Sequence, residues 1–165
     1  MLERRRFPAS TATVLIPTIE GCAIAGDHLA PIKGIRVATS RHDLLLVECA
    51  MALEERFGFE FEPERRIRGR GIIRDGHMPD GLLHRPSGRP IAVELELSQK
   101  SPSRVAAIIA AHAANLEIEE VWYVVVDDVM QQFLRRLSEG YDHVKVRKWR
   151  RRLPGAAAGH GGTNV

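Results

Sequence analysis

Three acids fall inside HMPDGLLHRPSGRPIAVELELSQKSPSR, residues 77–104, a stretch that otherwise reads as two apolar strands joined by a turn. Strand side chains alternate between faces, so Ile91, Val93, Leu95 and Leu97 share one face, and Ala92, Glu94, Glu96 and Ser98 share the other. The connecting RPSGR supplies Pro and Gly where a turn needs them. With that turn centred on Ser87, antiparallel pairing sets Asp80 directly opposite Glu94, with Cβ atoms about 4.5–5.5 Å apart. Two carboxylates so placed repel unless a proton or a cation lies between them. Two readings follow. Either both acids face solvent on a one-sided sheet, or they hold a hard divalent cation. Mg²⁺ is the natural occupant, with Mn²⁺ as a substitute, since it takes one or two carboxylates, several waters and a substrate phosphate.

A further acid joins them from an upstream helix. SRHDLLLVECAMALEERFG predicts a helix over residues 41–57, with Ser40 as N-cap, Asp43 in a weak capping box and Gly58 after the last turn. Glu48 stands among Leu44, Val47, Met51 and Leu53, at i+4 from Leu44 and i−3 from Met51. An acid there either snorkels past the helix rim or reaches a polar site between helix and sheet, as a third carboxylate beside Asp80 and Glu94.

The rest of the chain supplies the scaffold. Residues 1–38 read as an arm in which only residues 12–18 look like a strand. FEFEPERRIR alternates apolar and charged, and Pro63 makes it an edge strand. After the hairpin come a helix capped by Ser101 or Ser103, a buried strand VWYVVV, an amphipathic helix DDVMQQFLRRLSEG stopped by Gly140, and a last strand HVKVRKW. Residues 151–165 are low in complexity and read as a disordered tail. From Ser40 onward the order is helix, three strands, helix, strand, helix, strand. That order predicts an α/β domain over residues 39–150, a mixed sheet flanked by helices.

Composition narrows the chemistry. A formal charge of +3 permits a nucleic-acid partner without requiring one. The basic residues cluster, with Arg66, Arg68 and Arg70 near the hairpin acids and Lys145, Lys148 and Arg150 around Trp149. A basic groove with a stacking aromatic suits single-stranded nucleic acid, while lysines and arginines also protect an edge strand from self-association. Cys22 and Cys49 are too far apart in sequence for a zinc motif or a disulfide framework. The histidines show no ligand spacing: His112 reads as a core or rim residue of its helix, and His77 and His84 have opposite parity around the hairpin strand. Pro8 and Pro17 interrupt any signal-peptide core, and the longest apolar runs are far shorter than a membrane span, so a cytoplasmic location is expected.

Pro79-Asp80, the strand-turn-strand interval, Glu94-x-Glu96 and a preceding helix with Glu48 together resemble the PD-(D/E)xK nuclease superfamily, with its restriction-endonuclease-like α-β-β-β-α-β core. The resemblance implies that Asp80 and Glu94 bind the metal, that Glu48 assists, and that a lysine two residues after the second acid positions the attacking water. Glu96 stands where that lysine is expected, and Lys100 lies two strand positions further along the same face. VLIPTIEGCAIAG, RVATSRHDLLLVECAMALEERFG, HMPDGLL, VELELSQKSPSR and VWYVVV narrow the likeness further. They resemble the replication-relaxation family of plasmids and integrative elements, whose members carry a winged helix-turn-helix before a nuclease-like domain. On that resemblance residues 1–38 are the remnant of the winged domain, without its recognition helix.

Three functions are compatible with these residues. The first is a DNA-binding or accessory protein of plasmid replication or relaxation. The second is a Mg²⁺-dependent endonuclease using Asp80, Glu94, Glu96 and Lys100. The third is a protein-interaction remnant with no DNA role. A homodimer or a protein partner is compatible with each.

Overall fold

The structure is a computed structural model, described here for residues 2–6, 13–24, 30–31, 37–71 and 77–150. The chain divides into two compact units, residues 1–47 and 48–165, and the division falls inside a helix. The tail expected to be disordered, residues 151–165, lies outside the described residues.

In the first unit, strand β1 (Leu2–Arg6) pairs antiparallel with β2 (Thr13–Pro17). β2 is the strand expected from the sequence; β1 is an addition, since LERRR has no apolar alternation and owes its strand state to its partner. Thr18 then starts the short helix α1 (Ile19–Ile24), its hydroxyl accepting from Gly21 N–H at 3.2 Å.

Helix α2 runs Val37–Phe57, beginning four residues before the sequence expectation. Ser40 is therefore inside the helix, and Thr39 and Asp43 share a hydrogen bond one turn apart at 3.1 Å. Its buried positions are Cys49 and Leu53, while Leu44, Val47 and Met51 are each more than half exposed. Three of the four apolar residues expected to surround Glu48 are thus solvent-facing, and Leu53 alone of them is buried.

The second unit is built on a five-stranded sheet in the order β3-β4-β5-β6-β7. β3 (Glu60–Pro63), β4 (Gly81–His84) and β5 (Ile91–Glu96) form an antiparallel meander. β6 (Glu120–Val125) and β7 (Val144–Lys148) are then added in parallel, through helices α4 (Pro102–Ala113) and α5 (Asp128–Leu137). This is the mixed, helix-flanked α/β architecture that the element order predicts. One element is new: ERRIRGR, residues 64–70, is helix α3 rather than a continuation of the edge strand. Pro63 ends β3 and is also the N-cap of α3, Glu64 complements the helix start, and Gly71 closes it at φ 62°.

The helix starts follow local chemistry. Of the two candidate serines, Ser101 is the cap of α4, with Pro102 at the first helical position. Asp127 caps α5 by accepting from Met130 N–H at 2.8 Å. Buried Val105, Ile108 and Ile109 of α4 and Met130, Phe133 and Leu134 of α5 pack with Ile67 of α3 on the sheet face that carries Leu82, Ala92, Val121, Tyr123 and Val125. The opposite face carries Leu83, Ile91, Val93, Leu95, Trp122 and Val124, and Phe57 at the end of α2 meets Trp122 edge-on at 5.1 Å. Every residue of β5 is buried, so neither face of this strand is the solvent face that its acid alternation allows.

Candidate functional site

The hairpin forms in the register that a turn centred on Ser87 dictates: Gly81 pairs with Val93, Leu82 with Ala92 and Leu83 with Ile91. Asp80 is the next residue outward, opposite Glu94, but it sits on a bend just beyond the ladder. Its Oδ2 accepts the Leu95 N–H at 2.8 Å, so this carboxylate extends the strand pairing by one side-chain bond. Glu94 turns to other partners.

Glu94 points from β5 under α4 and is 6% exposed. Its Oε1 lies 2.9 Å from His112 Nε2 and 3.0 Å from His77 Nε2. The His112 contact is a hydrogen bond. His77 is close enough for charge attraction, with its nitrogen off the hydrogen-bond direction. The two rings meet edge to face at 5.2 Å. Burial pushes the Glu94 carboxyl upward, but the His112 hydrogen bond and the close approach and charge of both histidines outweigh it and hold the group below the usual carboxylate range. The contact with Glu94 raises His77 in turn, against burial and the nearby Lys100, with Asp80 adding to the rise.

Glu96, two residues along the same face, is 4% exposed and ion-paired with Lys100. The strand ends at Glu96, so Lys100 reaches this carboxylate from the loop before α4, not from a longer strand. Tyr123 pairs in register with Glu94 on neighbouring β6 and is 2% exposed. Its hydroxyl has no hydrogen-bond partner, and burial together with the charges of Glu94 and Glu96 raises its pKa.

The structure therefore brings together Glu94, Glu96 and Lys100, and it adds His77, His112 and Tyr123, which sequence spacing passed over. Among the described residues the group able to hold a metal ion is His77, Glu94 and His112, with ligand atoms all within 4.8 Å of one another. Glu48 and Asp80, expected to complete a carboxylate set with Glu94, lie outside it. His112 did carry a signal: it continues the buried Val105, Ile108, Ile109 stripe of α4 at helical spacing, which aims it at the sheet. His84, the other histidine beside the hairpin, serves a different carboxylate, with Nε2 2.8 Å from Glu62 Oε2.

The basic residues divide into two groups. On α3, Arg66 faces Glu60 at 3.6 Å, Arg68 pairs with Glu64 at 2.6 Å, and Arg70 pairs with the buried Glu62. Each has an acid at hand that a phosphate would have to displace. Along β7 and α5 the balance is different. A groove there is lined by Gln131, Arg135, Lys145, Arg147, Lys148 and Arg150, with Asp128 as its acid. Lys148 pairs with Asp128 at 2.6 Å, and Arg147 lies over the Trp122 ring at 3.8 Å from its centroid. Arg135, Lys145 and Arg150 are exposed. Trp149 is half-buried just past β7, its backbone N–H donating to the Val125 carbonyl at 2.7 Å, and it is not part of the groove lining.

No family model, no curated protein and no solved structure matches this chain. Among the described residues no helix is long and apolar enough to cross a membrane.

Proposed function

We propose that this protein is a DNA-associated domain of the replication-relaxation type, on a restriction-endonuclease-like scaffold, and that it holds a phosphate backbone in the groove between α5 and β7. The lining of that groove carries the reading: five basic side chains against one acid, with Arg135, Lys145 and Arg150 exposed. Such a surface releases counterions when it meets a polyanion, so its affinity falls with salt.

The test is fluorescence anisotropy with a short duplex and a single strand over a salt series. Replacing Arg135, Lys145 and Arg150 with alanine weakens binding and flattens the logarithmic salt slope by about 0.9 per lost phosphate contact on duplex, and about 0.7 on single strands. Binding that ignores salt, or that survives the triple substitution unchanged, refutes the reading.

Metal-dependent cleavage of the bound DNA is the second reading, and Lys100 favours it. Its ammonium group pairs with Glu96 beside Glu94, the neighbourhood in which the nuclease resemblance asks for a lysine. Plasmid nicking in Mg²⁺ or Mn²⁺ that Lys100→Ala and Glu94→Gln both abolish supports it, and an inert wild type in both ions ends it.

A further inference from the structure

The two histidines on Glu94 belong to a different coordination chemistry from that of a carboxylate pair. We propose that His77, Glu94 and His112 form a binding site for a divalent first-row transition-metal ion of the zinc type.

Geometry is the first support. A loop, a central strand and a helix each deliver one ligand atom to a common point, all three within 4.8 Å of one another. Bonds of about 2.0–2.2 Å place tetrahedral ligand atoms roughly 3.4 Å apart. The nitrogens now stand 2.9 and 3.0 Å from the shared oxygen, so small side-chain rotations open the space that an ion needs.

Donor chemistry selects the ion. Two imidazole nitrogens and one carboxylate suit zinc and its first-row neighbours, whereas Mg²⁺ prefers an all-oxygen shell. Asp80 and Glu94 set negative charge around His77, and the opposing charge of Lys100 is offset by its pairing with the acid Glu96.

A second, independent observation is the Tyr123 hydroxyl. It is buried, lacks a partner, and has Glu94 and Glu96 as its charged neighbours. A buried hydroxyl in that state costs free energy, and Tyr123 stands beside the ligand Glu94 in strand register, on the same sheet face. The His77 side chain is 30% exposed while its Nε2 is buried, so the ring borders solvent and turns its ligand atom inward. Three protein ligands match a site that keeps a fourth position for an exchangeable ligand, unlike the closed four-ligand sites that only brace a fold. His112 Nδ1 has no outer partner to fix its ring, and such partners are worth about 10–100-fold in affinity, so binding is weaker than at a structural zinc site.

The test uses the full chain, stripped with chelator and free of DNA, titrated with Co²⁺ and then Zn²⁺ and compared with Mg²⁺. The expected result is one equivalent of Co²⁺ with a visible ligand-field spectrum of nitrogen and oxygen donors, displaced by Zn²⁺ and unaffected by equimolar Mg²⁺. His77→Ala, at a partly exposed position that leaves the circular dichroism unchanged, lowers the affinity by at least the roughly 10–100-fold that losing even an outer partner costs. Glu94→Gln does the same while keeping the side-chain shape. No binding of Co²⁺ or Zn²⁺ by the folded protein overturns the proposal, as does binding that both variants leave unchanged. The result is independent of the DNA reading, because no nucleic acid enters the assay.

Discussion

His112 Nε2 and Glu94 Oε1 lie 2.9 Å apart in the interior, joining the last turn of α4 to the central strand of the sheet. Both residues are at most 6% exposed, so neither can turn to water if its partner is lost. His112→Leu in chelator-treated protein is expected to destabilise the fold by about 3–5 kcal/mol, because it leaves a buried carboxylate short of a partner. Adding Glu94→Leu recovers most of that loss, since two apolar residues of similar size need no partners. Urea unfolding of the single and double variants checks this, and equal losses in both would refute it.

Gly81 is fixed by its neighbour across the sheet. A Cβ at this position would stand 2.1 Å from the tip of the Phe61 ring, and Phe61 is itself buried at 9% exposure. Gly81→Ala is expected to cost about 1–3 kcal/mol through overpacking. In a Phe61→Leu background the same change should cost clearly less, and denaturation of the four proteins measures the difference.

Cys49 is 1% exposed, and burial, with the Asp80 charge adding, pushes its thiol up to about 12. The thiolate is the reactive form, so Cys49 should resist thiol reagents at pH 8 while the protein is folded. Its labelling rate in a Cys22→Ser variant should follow the fraction unfolded as urea is added. Rapid labelling without denaturant would contradict the burial.

Tyr123 gives an alkaline signature. Its folded pKa is raised, by burial first and then by Glu94 and Glu96, above the value of about 10 that an unfolded tyrosine has. The native state therefore retains a proton that the unfolded chain releases, and stability falls as pH rises past about 10. Tyr123→Phe should shrink this fall and leave stability at pH 7 unchanged or slightly increased, because the hydroxyl has no partner to lose. Urea midpoints at pH 7 and pH 10.5 for both proteins decide it.

The sequence carried the scaffold further than the site. Alternation in IAVELELS and the turn at RPSGR were enough for the hairpin register, because strand period and turn position together leave one pairing that keeps the apolar faces aligned. Pro63 marked an edge strand and proved to be on one, but the same residue hid α3, since a proline reads equally as a strand break and a helix start. The partners of the acids were hidden more deeply. Glu94 takes His112 from a helix on another part of the chain and His77 from a loop, and no local spacing encodes a contact made by tertiary packing. Burial of both sheet faces was likewise invisible, because Glu94 and Glu96 look like solvent-facing residues until the helix that covers them is in place.

The placement of β7 at the open edge of the sheet bears on self-association. An uncovered strand invites a second copy to continue the sheet across it. Here such pairing would set Lys145, Arg147 and Lys148 against the same residues of the other copy, and like charges directly across strands are destabilising. At the far edge, β3 spans four residues and ends in Pro63, which has no N–H to offer a neighbour. Among the described residues, the two borders of the five-stranded sheet are thus closed by different means, one by charge and one by a missing donor.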